Sequence, residues 1–166
     1  MSDAITLHDL QIGDAGWLIQ RHGELYAAEE GFDASFELLV AEILTGYMRT
    51  RDPSRERAWI AWRGGRRIGS IFCVRAGPPE VAKLRLFLIE PEARGQGLGH
   101  RLLEACLGYA REKGYRRMVL WTHESHRAAC ALYARHGFRL AESAPVHNFG
   151  RDLVEQSWEI DLKPAI

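Results

Sequence analysis

Residues 94–104, RGQGLGHRLLE, hold three glycines on alternate positions immediately before a stretch with the apolar spacing of a helix. Glycine is a poor helix former, so three of them at a helix start need a physical reason. A tight turn with positive φ is one reason, and the close approach of an anion to the exposed N–H groups of a helix N-terminus is the other. Arg94 beside the glycines favours the anion, so the stretch predicts a phosphate-binding loop.

The spacing of the glycines limits which phosphate compound fits. After Gly95 and Gly97, a dinucleotide-binding loop needs a third glycine at the position of His100. The Gly-Lys-Ser/Thr of a P-loop is missing as well. The sequence therefore predicts a phosphate compound of another kind.

The three cysteines give no metal chemistry. Cys73, Cys106 and Cys130 are odd in number and widely spaced, without the CxxC or Cys/His spacing of a zinc site. Free thiols in a reducing compartment explain them, since disulfides are rare in the cytosol. The N-terminus lacks the pattern of a signal peptide, and no run approaches the roughly 18 apolar residues of a membrane span. We therefore expect a cytoplasmic protein that uses no metal.

Composition and charge point away from nucleic-acid and membrane partners. Lys plus Arg and Asp plus Glu balance at 22 each, so the overall charge attracts neither. A chain of 166 residues with 46% hydrophobic composition fits one domain. The expected partner is a small molecule or a protein, and a homodimer stays an open alternative.

Apolar periodicity predicts the elements that position the loop. The first half predicts a strand at 5–10, a helix within 13–30, and a second helix capped by Asp33 or Ser35 that ends before Asp52-Pro53. Three β-rich runs joined by short turns predict an antiparallel meander at 58–63, 67–75 and 81–89.

After the glycines, a helix continues to Lys113 and Gly114. It is followed by a strand at 116–122, a helix at 126–136, a short strand at 138–140 and a last strand at 153–161. The helix after the glycines is a crossover, so the strands on either side of it are parallel within an otherwise antiparallel sheet.

Two motifs carry a family resemblance. Ile89-x-Pro91-x-x-Arg94-Gly95-x-Gly97-Leu98-Gly99, followed by Ala129, Tyr133, Gly137 and Phe138, resembles the GCN5-related N-acetyltransferase (GNAT) family. The resemblance implies an α/β (α+β) fold, with a mixed, mostly antiparallel sheet of about seven strands, a splayed parallel central pair and about four flanking helices. It also implies acetyl-CoA as cosubstrate and acetyl transfer to an amino group.

A narrower resemblance rests on GDAGWLIQRHGELYAAEEGF, AKLRLFLIEP, LWTHES and NFGRDLVEQSWEIDL. These segments are similar to the acetyltransferase half of bacterial proteins that join a MarR-type regulator to a GNAT domain. The acetyltransferase pattern uses all 166 residues. We therefore expect residues 1–166 to form a single N-acetyltransferase domain without the regulator and without DNA binding.

The resemblance assigns the coenzyme A contacts. The backbone of the glycine loop, defined here as residues 94–100, would hold the pyrophosphate, with charge added by the Arg94 side chain. The loop consists of Arg94, Gly95, Gln96, Gly97, Leu98, Gly99 and His100. Phe87 and Ile89 would pair with the pantetheine arm through their backbone. His126 stands where the family often has a pantetheine-side asparagine.

The resemblance also places Tyr133 near the coenzyme A sulfur, where its phenol would act as general acid toward the leaving thiolate. Many family members carry a glutamate general base, but Lys83 stands at that position here. The base therefore stays open among Glu29, Glu30, His123 and His147.

We expect the acceptor to be a primary amine of a small molecule, attacked directly in a ternary complex. The predicted walls of its site are Tyr26, Trp121, His147 and Phe149, with Glu29 and Glu30 attracting the cation. A catalytically silent acyl-CoA-binding module and a protein-lysine or N-terminal acetyltransferase are the alternatives.

Overall fold

The computed structural model describes residues 4–163. The strands are β1 (Thr6–His8), β2 (Arg57–Arg63), β3 (Arg66–Arg75), β4 (Val81–Ile89), β5 (Arg117–His123), β6 (Arg139–Asn148) and β7 (Arg151–Asp161). The helices are α1 (Asp14–Glu30), α2 (Ala34–Thr50), α3 (Leu98–Glu112) and α4 (Arg127–Arg135), with a 3₁₀ turn at Pro91–Ala93.

The seven strands form one sheet in the order β1-β2-β3-β4-β5-β7-β6. β4 and β5 are parallel, pairing Val81–Lys83 with Arg117–Val119. The pairs β1–β2, β2–β3, β3–β4 and β6–β7 are antiparallel. The predicted fold class, a mixed and mostly antiparallel sheet with one parallel pair and four helices, is confirmed.

The chain divides into two compact units. The first contains residues up to 11, residues 52–120 and residues from 160 onward, and the second contains residues 12–51 and 121–159. Among the described residues, no helix has the length and apolar character needed to cross a membrane.

In the first unit, α3 packs against β3 and β4. The buried face of α3 consists of Leu98, Leu102, Leu103, Cys106, Leu107 and Ala110. Gly69 on β3 permits the close approach, because a Cβ there would lie 3.2 Å from the Leu98 side chain and 3.0 Å from the Leu88 carbonyl oxygen. This packing fixes where α3 begins, and therefore where the glycine loop lies within this unit.

β4 carries a bulge that the sequence analysis missed. Two residues, Leu86 and Phe87, lie opposite the single residue Ile71 of β3, and Leu86 adopts a φ of 50°. The Ser70 hydroxyl donates to the Leu86 carbonyl at 2.7 Å. The bulge bends the strand three residues before its end, at the backbone expected to meet pantetheine.

In the second unit, α1 packs against α2, and the turn between them is fixed by local chemistry. Gly31 closes α1 in the left-handed region with a φ of 71°. Asp33 then caps α2, accepting from the Ser35 N–H at 3.0 Å, as the sequence predicted.

A strand does begin near the predicted position 138–140, but its predicted length was wrong. β6 runs over Arg139–Asn148 and forms a long hairpin with β7, which begins at Arg151. β6 lies at the sheet edge and most of its residues are exposed. Its sequence, RLAESAPVHN, therefore has little apolar alternation from which a strand can be predicted.

Candidate functional site

The glycine loop lies at the N-terminus of α3 in the first unit. Gly95 and Gly97 adopt φ values of 73° and 84°. Gly97 is the N-cap of α3, and it has no side chain that can accept from the first turn. The backbone N–H groups in the first turn of α3 therefore lack the side-chain cap that usually accepts their hydrogen bonds.

The glycines are needed for conformation, not for close packing. A Cβ at Gly95 or Gly97 would meet no heavy atom within 4 Å, whereas both φ values lie where L side chains are strained. Most of the loop is exposed, while Leu98 is buried and anchors it. Bare, exposed backbone at a helix N-terminus fits a phosphate group.

Side chains on both sides stabilise the loop. The Arg94 Nε donates to the Ile89 carbonyl at 3.2 Å. Gln96 donates to the Glu92 carbonyl at 2.9 Å and accepts from Arg63 at 2.7 Å. Gln96 therefore holds the conformation of the loop through its side chain, a role that the sequence analysis did not assign.

The two β4 positions predicted to contact pantetheine, Phe87 and Ile89, are half-buried. They follow the bulge and lie just before the 3₁₀ turn that leads into the loop. The first unit thus brings Phe87, Ile89 and the glycine loop into one continuous segment.

Lys83 on β4 occupies an unusual position for a lysine. Its side chain is buried, with 8% of the residue exposed. Burial, reinforced by the positive charge of Arg85, lowers the pKa of Lys83 to about 8. Folding therefore makes this ammonium more acidic than an ordinary lysine.

Six rings from separate parts of the second unit form what we call the aromatic cluster: Tyr26, Phe32, Phe36, His123, His126 and Phe149. The Tyr26 ring stacks on Phe36 with centroids 4.4 Å apart and on His126 at 4.7 Å. Phe149 lies 4.9 Å from Phe32 and 5.1 Å from Phe36. The cluster thus contains two predicted wall residues, Tyr26 and Phe149, and two predicted site histidines.

Glu30 adds a carboxylate to the aromatic cluster. Its Oε1 lies 3.3 Å from the His126 Nε2, and the side chains are 11% and 22% exposed, respectively. Glu30 is the last residue of α1, and its backbone carbonyl accepts from the Arg151 guanidinium. The structure therefore brings together Glu30, a candidate for the general base, and His126, a predicted coenzyme A contact.

Burial favours the neutral form of His123 over its charged form. Burial lowers its pKa, and the negative charges of Glu155 and Glu30 only partly oppose this effect. Its ring meets Phe32 edge-on at 5.6 Å.

His22, which the sequence analysis did not identify, lies beside Tyr26 with ring centroids 6.0 Å apart. It is fully buried, and burial lowers its pKa to about 4. Its Nδ1 lies 2.7 Å from the Leu18 carbonyl, so this nitrogen carries the proton in the neutral form. The sequence signal that could have identified His22 is its spacing, four residues before Tyr26 in the predicted helix, which places both side chains on one face.

Three predicted site residues have other surroundings. His147 is exposed, and its Nδ1 pairs with the Asp152 carboxylate at 2.8 Å across the β6–β7 hairpin. Trp121 is 64% exposed, and Glu29 is exposed on the last turn of α1.

Tyr133 lies on α4 and is 4% exposed. Its ring packs against Phe138 at 5.6 Å, and its backbone carbonyl accepts from the Phe138 N–H at 3.0 Å. The N-cap of the same helix is His126. The two side chains are thus presented by one short helix, two turns apart.

Comparison with known proteins gives consistent matches. Residues 18–138 match the profile described as the Acetyltransferase (GNAT) family. A mycothiol acetyltransferase from Geodermatophilus obscurus is 35% identical over 85 residues, which cover 48% of this chain and 28% of the relative. The chain thus spans less than a third of the length of that relative.

Solved structures share the fold over nearly the whole chain. YncA from Salmonella typhimurium, solved with its cofactor acetyl-CoA, has a TM-score of 0.78 at 18% identity, covering 98% of this chain and 96% of YncA. A GCN5-related N-acetyltransferase from Kribbella flavida has a TM-score of 0.76 at 23% identity, covering 96% and 98% of the two chains.

Proposed function

The chain belongs to the acetyltransferase (GNAT) family, and from this premise we propose that it transfers an acetyl group from acetyl-CoA to a primary amine of a small molecule. The amine attacks directly while both substrates are bound. We further propose that residues 1–166 act as one N-acetyltransferase domain, since the matching region includes parts of both compact units. Three free cysteines suit a cytoplasmic location.

The glycine loop supports acetyl-CoA as the cosubstrate. Its exposed backbone at the N-terminus of α3 would hold the pyrophosphate, with the Arg94 guanidinium contributing positive charge. Phe87 and Ile89 would pair through backbone groups with the pantetheine arm, as an added strand does. When bound, acetyl-CoA supplies a thioester carbonyl and a thiolate leaving group.

Tyr133 supports transfer over simple binding. Tyr133 is buried, and a phenol can donate its proton to a thiolate as that group leaves. A module that only binds acyl-CoA has no use for such an acid.

The single observation that carries the acceptor class is the aromatic cluster with Glu30 at its side. Stacked rings with a carboxylate offer an apolar wall and a partner for one positive charge. This arrangement suits a compact ammonium compound, whereas a phosphate-rich acceptor would need a basic rim. The name of the relative from Geodermatophilus obscurus, mycothiol acetyltransferase, also supports small-molecule chemistry.

Within the family, we infer a relation to the acetyltransferase half of the MarR–GNAT fusion proteins, on the four segments quoted above. DNA binding is not part of this inference.

A panel assay tests the proposed function. Free thiol release from acetyl-CoA is measured with small amines, amino acids and aminoglycosides against lysine and N-terminal peptides. We expect turnover on at least one small amine. Turnover on peptides alone would move the protein to the protein-modifying branch, and acetyl-CoA binding without any turnover would leave a silent binding module.

A further inference from the structure

We propose that His126, oriented by Glu30, removes the proton from the acceptor ammonium, and this inference rests on the acetyl transfer proposed above. Glu30 is then a positioning residue, because it acts through the imidazole. The pair combines a group that can take a proton with a carboxylate that fixes its orientation, the same division of roles as in a histidine–aspartate pair of a hydrolase.

The geometry fixes the His126 ring from two directions. Tyr26 stacks on its face with an interplanar angle of 27°. Glu30 holds its edge, with 3.3 Å between Oε1 and Nε2. Both side chains of the pair are largely shielded, yet the imidazole keeps about a fifth of its surface open. Shielding strengthens the pairing, and the open part gives access to a substrate.

The carboxylate determines the tautomer. An ionised carboxylate accepts hydrogen bonds only, so the neutral imidazole keeps its proton on the Nε2 that faces Glu30. The lone pair is then on Nδ1. His126 does not use its side chain to cap α4, so Nδ1 is not needed for the helix start.

Opposing charges act on the protonation of His126. The positive end of the α4 dipole disfavours the imidazolium, whereas Glu30 stabilises it. The other titratable groups around the cluster are His22 on α1, held neutral by burial, and His123 on β5, whose pKa burial lowers. Glu155 and Arg151 on β7 are further charged groups near the cluster, as is Asp33, whose backbone N–H donates to the Phe149 carbonyl.

The remaining candidates for the base are weaker. Glu29 is exposed, and His147 is exposed and paired with Asp152. The His123 ring is packed edge-on against Phe32 and Phe149. The His126–Glu30 pair, by contrast, joins an orienting partner to a position at the start of the helix that carries Tyr133.

Their spacing on α4 suits a reaction that needs both groups. His126 and Tyr133 are seven residues apart, about 10 Å along a helix and on the same face. A substrate between the two side chains would have its amine toward one and its leaving group toward the other.

The proton count balances with these two residues. The ammonium gives one proton to the His126 Nδ1, and the freed amine forms a nitrogen–carbon bond while the carbon–sulfur bond breaks. Tyr133 gives its proton to the leaving sulfur and regains one from the nitrogen of the new amide. The proton on His126 passes to water, so one proton is released for each acetyl group transferred.

A titration without substrates tests the pair itself. In ¹⁵N NMR spectra, the His126 signals are assigned by their loss in His126→Asn. We expect a proton on Nε2 in the neutral form, and Glu30→Gln should move the titration midpoint to lower pH by at least half a unit. Glu24→Gln, an exposed position on α1, should leave it unchanged. A proton on Nδ1, or an unmoved midpoint in Glu30→Gln, would overturn the proposal.

Kinetics on the most active amine of the panel test the catalytic role. His126→Asn should lower kcat about 10²-fold or more and remove the acid limb of the pH profile. Added imidazole should restore part of the rate of His126→Ala, while KM for acetyl-CoA changes less than threefold. Thermal unfolding confirms that the variants fold.

The two proposals fail differently. Wild-type protein without turnover on any amine or peptide contradicts the proposed function. Wild-type turnover with an unchanged rate and acid limb in folded His126→Asn contradicts only the role of His126.

Discussion

The glycine loop and the aromatic cluster are built in opposite ways. The loop is one short segment whose exposed backbone we propose to bind the cosubstrate, and its shape depends on two glycines with positive φ. The cluster gathers side chains from α1, α2, β5, the start of α4 and the hairpin turn. The first kind of site is encoded locally and the second by the fold. Changes in the loop should therefore weaken cosubstrate binding, whereas changes around the cluster and on α4 should lower turnover.

The largest expected effect separates these two readouts. Tyr133→Phe should lower kcat about 10²-fold, equivalent to about 2.7 kcal/mol, because the thiolate loses its proton donor. The affinity for acetyl-CoA should hardly change. Steady-state kinetics and calorimetry measure the two quantities, with Tyr109→Phe on α3 as the matched control. Wild-type kcat on a true acceptor would show that another group protonates the sulfur.

Arg94→Glu tests whether the glycine loop binds the cosubstrate. Acetyl-CoA binding should weaken by at least about 1.5 kcal/mol, close to 12-fold in Kd, since a charge-assisted contact to phosphate is lost. A bulky residue at Gly99 should have a similar effect. Arg49→Glu on α2 makes the same charge change far along the chain and should leave binding intact. Calorimetry showing unchanged affinity for both loop variants would remove the phosphate assignment.

The same contrast explains what could be predicted from sequence. The helix starts and stops, the antiparallel meander and the glycine loop depend on neighbouring residues, and their patterns predicted them closely. Asp33 as an N-cap and Gly114 after α3 are examples, the latter with a φ of 84°. Local chemistry determines such features wherever the element lies.

The sequence patterns did not predict features that depend on residues far apart in the chain. The bulge at Leu86 depends on the pairing of β4 with Ser70 of β3, and the polar edge strand β6 is stabilised by β7. Phe36 joins the aromatic cluster because α1 and α2 pack against each other, whereas His22 contacts Tyr26 on its own helix. Trp121, predicted as a wall of the acceptor site, is mostly exposed, and its role stays a prediction.

The position of α3, and with it the glycine loop, depends on Gly69. Gly69→Ala places a Cβ 3.0 Å from the Leu88 carbonyl and 3.3 Å from the Leu102 side chain, so overpacking should destabilise the fold by roughly 1 kcal/mol or more. Gly108→Ala, on the exposed face of α3 with nothing near its Cβ, should instead stabilise by about 0.5–1 kcal/mol through helix propensity. Urea unfolding measures both. Equal effects of the two variants would show that α3 does not depend on close approach at Gly69.

The last expected effect is a pH dependence that differs between the units. His22, behind the aromatic cluster, has a folded pKa of about 4 against an ordinary value of 6.5. Between these values the unfolded chain binds more protons, so the contribution of His22 to stability is complete above pH 6.5 and is lost as the pH falls toward 4. The slope from one such group is at most about 1.4 kcal/mol per pH unit. Lys83 in the first unit has a folded pKa of about 8 against an ordinary value of 10.5, so its contribution to stability rises only between those two pH values.

His22→Gln, which keeps a donor for the Leu18 carbonyl, should flatten the pH dependence of the free energy of unfolding below pH 6.5 and leave the alkaline range unchanged. Lys83→Met should flatten it only above pH 8. Urea unfolding at pH 5, 6.5, 8 and 9.5 provides the comparison, and a His22→Gln profile parallel to the wild type in acid would show that this histidine is protonated in the folded protein.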